Sequence, residues 1–360
     1  MPSADEVLQA LSRVQEPELH RDLVSLNMIR DVTVSGGRVA FSVMLTTPAC
    51  PLRSQIEREC RSAVLAVPGV QEIAIKFASN VVRDPRLSRG GPLPFRNTIA
   101  VASGKGGVGK TTCAVNLAIA LHRLGATVGL LDADIYGPNI PIMMGVEARP
   151  RVKDERILPL EAYGLKLMSM GFLIRPDQPM VWRGPMLHKA LEQFLNDVEW
   201  GDLDYLLMDL PPGTGDVQLS LAQILPLTGA VIVTTPQDVA LADVRKGMAA
   251  FNQLEVPLLG VIENMSTFVC PHCGERTDIF SHGGGRRAAE ELGISFLGEV
   301  AIDPAIRAGG DDGQPIVAVA HHSPQAKAFM DIAGALAAKI SVLNMEQQAE
   351  GLITDIPVLK

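Results

Sequence analysis

The hydrophobic pattern along the 360-residue chain changes near residue 82. Before that point, Ala4 to Val14 carries apolar positions at helical spacing. Arg30 to Val34 and Val39 to Leu45 read as strands around the turn Ser35-Gly36-Gly37, Leu52 to Val67 as a second helix, and Val70 to Phe77 as a third strand. A small α/β domain over residues 1–82 follows. The next stretch, Arg83 to Asn97, holds three prolines, two glycines and four arginines. Prolines at that density break both helix and central strand, so 83–97 is expected to be a linker. From residue 98 short apolar runs alternate with helical patterns, which predicts a doubly wound, mostly parallel sheet over 98–343, closed by a helix from Gln325 to Leu343. Residues 344–360 read as a tail.

The alternation is interrupted first at Ser103-Gly104-Lys105-Gly106-Gly107-Val108-Gly109-Lys110-Thr111-Thr112. Upstream, Thr98 to Val101 is a buried strand; downstream, Cys113 to Leu124 is a helix and Val128 to Leu131 a second strand. A strand, a glycine-rich turn and a helix in that order form a phosphate loop: glycines take positive φ and present bare N–H groups to a triphosphate. Lys110 would place a charge beside the β- and γ-phosphates, the Thr111 hydroxyl would ligate Mg²⁺, and the helix N-terminus would face the anion. Further on, the apolar strand Tyr205 to Asp209 ends in an acid followed by Leu210-Pro211-Pro212-Gly213-Thr214-Gly215-Asp216. This is the Walker B arrangement, with Asp209 on Mg²⁺ and the Pro/Gly loop as a switch. Asp132-Ala133-Asp134 also closes a strand beside the loop, where α/β sheets place ligands; either acid could instead cap the following turn.

The decapeptide with its second lysine, Lys105, resembles the deviant Walker A motif of the ATPase class that includes MinD, ParA, the nitrogenase iron protein and the Mrp/ApbC iron-sulfur cluster carriers. The resemblance implies ATP bound by Gly104 to Thr112, and Lys105 crossing the interface of an ATP-sandwich homodimer as a catalytic cation. It implies a water-positioning role for Asp134, with Asp132 nearer the magnesium shell. Asn264, at the end of the strand Leu258 to Met265, matches the asparagine that reads adenine, with Asp303-Pro304 on the other side of the base. Trp182-Arg183-Gly184-Pro185-Met186 also resembles the Mrp pattern. In the first domain Glu16-Pro17-Glu18, Leu23 to Arg30 and Thr46 to Pro51 resemble an iron-sulfur assembly-type domain; Cys50 there sits at a helix entry, where the dipole is expected to lower its thiol pKa, against the alternative of a buried or capping cysteine.

Composition narrows the rest. Forty-seven per cent hydrophobic and twenty per cent charged residues indicate a large folded core. A net charge of -8 argues against a general nucleic-acid surface. Asp5, Glu6, Glu16 and Glu18 stand where a signal peptide would be basic and apolar, and no stretch is read as approaching the ~20 apolar residues of a spanning helix. The tail lacks the basic amphipathic face of a membrane anchor. A cytoplasmic protein with neither nucleic acid nor membrane as partner is expected.

Five cysteines, odd in number, argue against a disulfide framework. Cys270-Pro271-His272-Cys273 can bind a soft metal, form a redox disulfide or merely occupy a loop. One chain offers no second close pair, but two copies at a two-fold axis supply four thiolates, the number that holds either a [4Fe-4S] cluster or zinc. The resemblance favours the cluster, since Mrp/ApbC carriers have a Cys-x-x-Cys pair at this point. The function expected from it is a homodimeric ATPase, slow in hydrolysis, that carries a labile [4Fe-4S] cluster from scaffold proteins to apo-protein clients. A partitioning or cell-division ATPase, a nitrogenase-like reductase and a zinc-stabilised ATPase are the alternatives.

Overall fold

The computed structural model describes residues 2–88, 93–134, 137–173, 184–213, 216–237 and 239–354. The chain divides into two compact units, Met1–Val82 with Ala337–Lys360, and Arg83–Leu336.

In the first unit the helix Ala4–Leu11 starts at a reciprocal cap, Ser3 Oγ accepting from the Glu6 N–H at 3.2 Å and Glu6 Oε2 from the Ser3 N–H at 2.8 Å. Ile29–Ser35 and Arg38–Leu45 pair antiparallel, and the helix Arg53–Leu65 crosses over so that Glu72–Ser79 pairs parallel with Arg38–Leu45. Alternation along the central strand buries Val39, Phe41, Val43 and Leu45 against Val7, Leu11, Ile56 and Val64. Cys60 lies in this core, where burial pushes its thiol up to about 12. Cys50 departs from expectation. Burial raises its thiol pKa, with Glu18 and Glu16 adding to the effect, and the N–H groups of Leu52 and Arg53 offset this only in part. Desolvation outweighs the helix entry, so this thiol is not activated.

The second unit is built on a mostly parallel sheet in the order Leu160–Ala162, Leu165–Ser169, Val128–Asp132, Leu203–Asp209, Phe95–Ala102, Gly229–Thr234 and Leu258–Val269. Phe296–Ile302 joins Leu258–Val269 in parallel, while Leu160–Ala162 runs antiparallel to Leu165–Ser169 and Arg276–Thr277 antiparallel to Leu258–Val269. Both faces are covered, so strands such as Val128–Asp132 and Gly229–Thr234 are buried at every residue. Phe95–Ala102 lies mid-sheet, between a strand added later on each side. The order therefore reverses there, which opens a crevice at its C-terminal end. Register puts Asp209 opposite both Val101 and Asp132, so two acids stand level with the start of the loop.

Three boundaries differ from those expected. The phosphate-loop strand begins at Phe95, within the expected linker, because Phe95 packs edge-on against the buried Trp200 with ring centroids 6.2 Å apart. Pro85–Ser88 forms a 3₁₀ turn in which the Arg86 guanidinium bridges Asp84, at 2.7 Å, and the carbonyls of Leu227 and Thr228. The closing helix runs Pro324–Thr354, past Leu343, so much of the expected tail is helical. Its stretch Pro324–Ala349 is long and apolar enough to cross a membrane by length and composition, contrary to the expectation, and more than half of its most apolar window is buried in the fold.

Candidate nucleotide site and cysteine turn

The loop takes the shape its glycines permit. Gly107 and Gly109 both lie at φ +79°, the left-handed region, and the helix Lys110–Arg123 starts directly after them. Gly104 is glycine for a different reason: a Cβ there would sit 2.7 Å from the Cβ of Asp243 and 2.8 Å from its carbonyl oxygen. Ser103 Oγ donates to the Lys105 carbonyl at 3.0 Å, and the Ser103 carbonyl accepts from the Gly213 N–H at 2.9 Å, which joins the loop to the segment after Asp209.

Lys110 Nζ donates to Asp209 Oδ1 at 2.6 Å and the Thr111 hydroxyl to Asp209 Oδ2 at 2.7 Å; Asp134 Oδ2 stands 3.8 Å from Lys110 Nζ. Burial pushes the Asp209 carboxyl up, and Lys110 and Thr111 pull it back. Asp132 lies deeper than expected and does not line the crevice. Its oxygens accept from the N–H groups of Asp134 and Ile140, at 3.1 and 3.2 Å, and from the Ser169 hydroxyl at 3.0 Å. Burial, followed by the nearby Asp209, pushes its pKa up to about 8. Asp132 thus fixes the segment that presents Asp134. Ile135 and Tyr136, between these anchors, lie outside the described residues, as do Thr214 and Gly215 of the switch and Trp182 and Arg183 of the Mrp-like segment.

A cavity of about 700 Å³, within the ordinary range of ligand sites, is lined by Ser103, Lys105 to Thr112, Asp134, Asn264 and Met265, and at its far end by Phe280, Ile302 and Ile306. Asn264 is buried against the loop, its Nδ2 donating to the Val108 carbonyl at 2.8 Å, which leaves its Oδ1 as the side-chain acceptor for a base. Asp303 lines the same cavity but is used as a helix cap, accepting from the Ala305 N–H at 2.7 Å and from Gln325. Lys105 turns back onto its own subunit: Nζ donates to Gln237 Oε1 at 3.0 Å and stands 3.6 Å from Asp243 Oδ2.

Cys270 and Cys273 sit in a turn between Leu258–Val269 and Arg276–Thr277. The Cys270 N–H donates to the Glu275 carbonyl at 2.9 Å, and the Cys270 carbonyl accepts from the Gly274 N–H at 2.8 Å, with Gly274 at φ +74°. Backbone N–H groups of Cys273 and His272 point at the Cys270 sulfur and hold its thiol below the ordinary range. Cys273 is exposed, as are Val269, Ile279 and Phe280 beside the turn. The turn presents two thiols and apolar side chains outward together.

A family model described as NUBPL iron-transfer P-loop NTPase matches residues 94–337. The chain belongs to that family. Residues 4–75 match a second model, described as iron-sulfur cluster assembly protein. An iron-sulfur cluster carrier protein of Synechocystis sp. is 50% identical over 349 residues, 95% of this chain and 99% of its own, and one of Escherichia coli K12 is 41% identical over 337 residues, 93% and 91% of the two chains. Among solved structures, an Archaeoglobus fulgidus nucleotide-binding protein in complex with ADP, with cobalt found, is 40% identical with a TM-score of 0.58, covering 66% of this chain and 93% of that one. The Pyrococcus furiosus cell division ATPase MinD, 24% identical with a TM-score of 0.51, covers 66% and 97% and shares the fold.

For this iron-transfer P-loop NTPase the sequence motifs gather Lys105 to Thr112, Asp134 and Asn264 on one cavity, with Asp209 bonded to it through Lys110 and Thr111. Gly104 packs behind the loop against Asp243. Motif spacing missed Gln237 and Asp243, which hold Lys105, and Phe280 and Ile306 at the far end of the cavity. These are brought in by strand order: Gln237 has the signal of a polar residue just after the central strand Gly229–Thr234, whereas Asp243 in the helix Ala240–Gln253, Ile306 in the helix Pro304–Asp311 and Phe280 after Arg276–Thr277 carry no such signal.

Proposed function

We propose that the protein is an ATP-binding and hydrolysing carrier that holds a labile [4Fe-4S] cluster between two copies of itself and passes it to apo-proteins. The observation that carries this reading is the turn at Cys270 and Cys273, which offers two outward thiols, one already shifted toward thiolate by backbone N–H groups, directly after the strand that carries Asn264. Two thiols are half of a cluster's ligand set, and a second copy is the simplest source of the rest. The names of the Synechocystis and Escherichia coli relatives support an iron-sulfur cluster as the cargo.

Thr111 and Asp209 are hard oxygen donors already 2.7 Å apart, a set that suits Mg²⁺. Bound there, Mg²⁺ would neutralise phosphate charge during hydrolysis. Lys110 would then turn from Asp209 to the phosphates, Asp134 would orient the attacking water, and Lys105 would exchange Gln237 and Asp243 for the nucleotide of the partner subunit. Nucleotide and cargo are linked through one strand: Met265, at φ +59°, lines the cavity next to Asn264, and Cys270 follows five residues later. A non-glycine residue held in that region is strained, so a change in nucleotide contact at Asn264 can reset the strand that ends at the cysteines.

Anaerobic reconstitution with iron and sulfide, followed by absorption spectroscopy, iron and sulfide counting and sedimentation, tests the proposal. Four irons and four sulfides per dimer are expected, lost in Cys270→Ala. A coloured species that sediments as a monomer, a colour that survives the substitution, or zinc alone bound per dimer would overturn it.

A further inference from the structure

A second cluster of ligand-type side chains lies outside the cavity and the cysteine turn. Glu263 on Leu258–Val269 and Glu299 on Phe296–Ile302 are register partners on adjacent parallel strands, so both side chains leave the sheet on the same face. His282 enters from the segment before the helix Gly284–Glu291, and its Nε2 lies 3.1 Å from Glu299 Oε2. One ligand atom from each of Glu263, His282 and Glu299 lies within 4.8 Å of the other two.

Glu263 is fully buried. Its oxygens accept from the N–H groups of Gly283 and Gly285, at 3.0 and 2.6 Å, and each retains a second lone pair. The glycines make that approach possible: a Cβ on Gly285 would lie 3.1 Å from Glu263 Oε2, and one on Gly284 would overlap the Pro236 carbonyl. Among the described residues no lysine or arginine forms an ion pair with either glutamate; His282 alone does, with Glu299. Helix capping accounts for Glu263 but not for a second carboxylate and an imidazole turned toward it. Two neighbouring carboxylates that lack a strong cation invite one.

We propose that Glu263, His282 and Glu299 form a binding site for a first-row divalent cation. One imidazole and two carboxylates are a donor set suited to zinc or ferrous iron, and three protein ligands leave a position for water. His282 closes the segment that begins at Cys270, and Glu263 lies on the strand that enters it, so a bound ion ties the two ends of the cysteine-bearing segment together. This site is independent of whether the cysteines carry a cluster.

The test uses the full-length chain with Cys270→Ser and Cys273→Ser, so that thiolates do not contribute, titrated with Zn²⁺ and separately with Co²⁺ by calorimetry and absorption. One equivalent per chain is expected. Loss of an outer partner of a metal ligand typically weakens binding by 10–100-fold, so His282→Ala and Glu299→Gln should each weaken it by at least about tenfold. Neither substitution empties the buried core, and a His321→Ala, His322→Ala protein controls for adventitious histidine binding. Limited proteolysis gives a second readout: Zn²⁺ should protect the segment 270–282 in the parent and not in His282→Ala. Absence of binding in the parent, or binding and protection unchanged by both His282→Ala and Glu299→Gln, overturns the proposal.

Discussion

Replacing Gly109 and Gly107 separately by alanine distinguishes two reasons for a glycine in the loop. Both have φ +79°, so each alanine bears the left-handed cost of about 1–2 kcal/mol, offset by about 0.4–1 kcal/mol from the stiffer unfolded chain. A Cβ on Gly107 meets nothing within 4 Å, whereas one on Gly109 overlaps Asn264 Nδ2. Asn264 must then move and give up its 2.8 Å bond to the Val108 carbonyl, leaving buried polar groups unpaired at about 1–3 kcal/mol. Gly107→Ala should therefore cost about 1 kcal/mol and Gly109→Ala about 2–4. Urea unfolding of the nucleotide-free protein, followed by tryptophan fluorescence, measures both, because Trp182 and Trp200 belong to the ATPase unit. The Asn264→Ala, Gly109→Ala double variant should cost less than the sum of the singles by at least about 1 kcal/mol, since the clash is removed once. Equal costs at the two glycines, or an additive double variant, would refute the contact as the reason for Gly109.

Two further outcomes follow from charge and burial. The folded Asp132 carboxyl keeps its proton to about pH 8, whereas an unfolded one releases it near 3.8, so its stabilising contribution is complete below the ordinary range and is lost as pH rises toward 8. Unfolding free energies of wild type and Asp132→Asn, compared between about pH 5 and about pH 8, should converge or cross with a relative slope of up to about 1.4 kcal/mol per unit; parallel curves would contradict the shift. In alkylation by iodoacetamide read by mass spectrometry, Cys270 should react at lower pH than Cys50, while Cys60 and Cys113, both buried and pushed up to about 12, should stay unmodified in the folded protein. Early labelling of Cys50 would restore an activated thiol there.

The amino-acid sequence by itself determined the doubly wound class, the phosphate loop, the acid at the end of Leu203–Asp209 and the cysteine turn. Each of these is encoded within a few consecutive residues, through period, glycine φ and a polar residue closing an apolar run. Tertiary structure decided which distant side chains meet. Lys105 finds Gln237 and Asp243 because Gly229–Thr234 pairs beside Phe95–Ala102; Asp132 and Asp209, alike in sequence, receive different roles because one is bonded to Ile140 and Ser169 and the other to Lys110 and Thr111. Cys50 and the Glu263–Glu299 pair teach the same lesson: burial overrode a local helix entry in the first, and strand register created the second. Local conformation follows from short-range sterics and periodicity, but desolvation and the pairing of groups far apart in sequence exist only once sheet order and register are set.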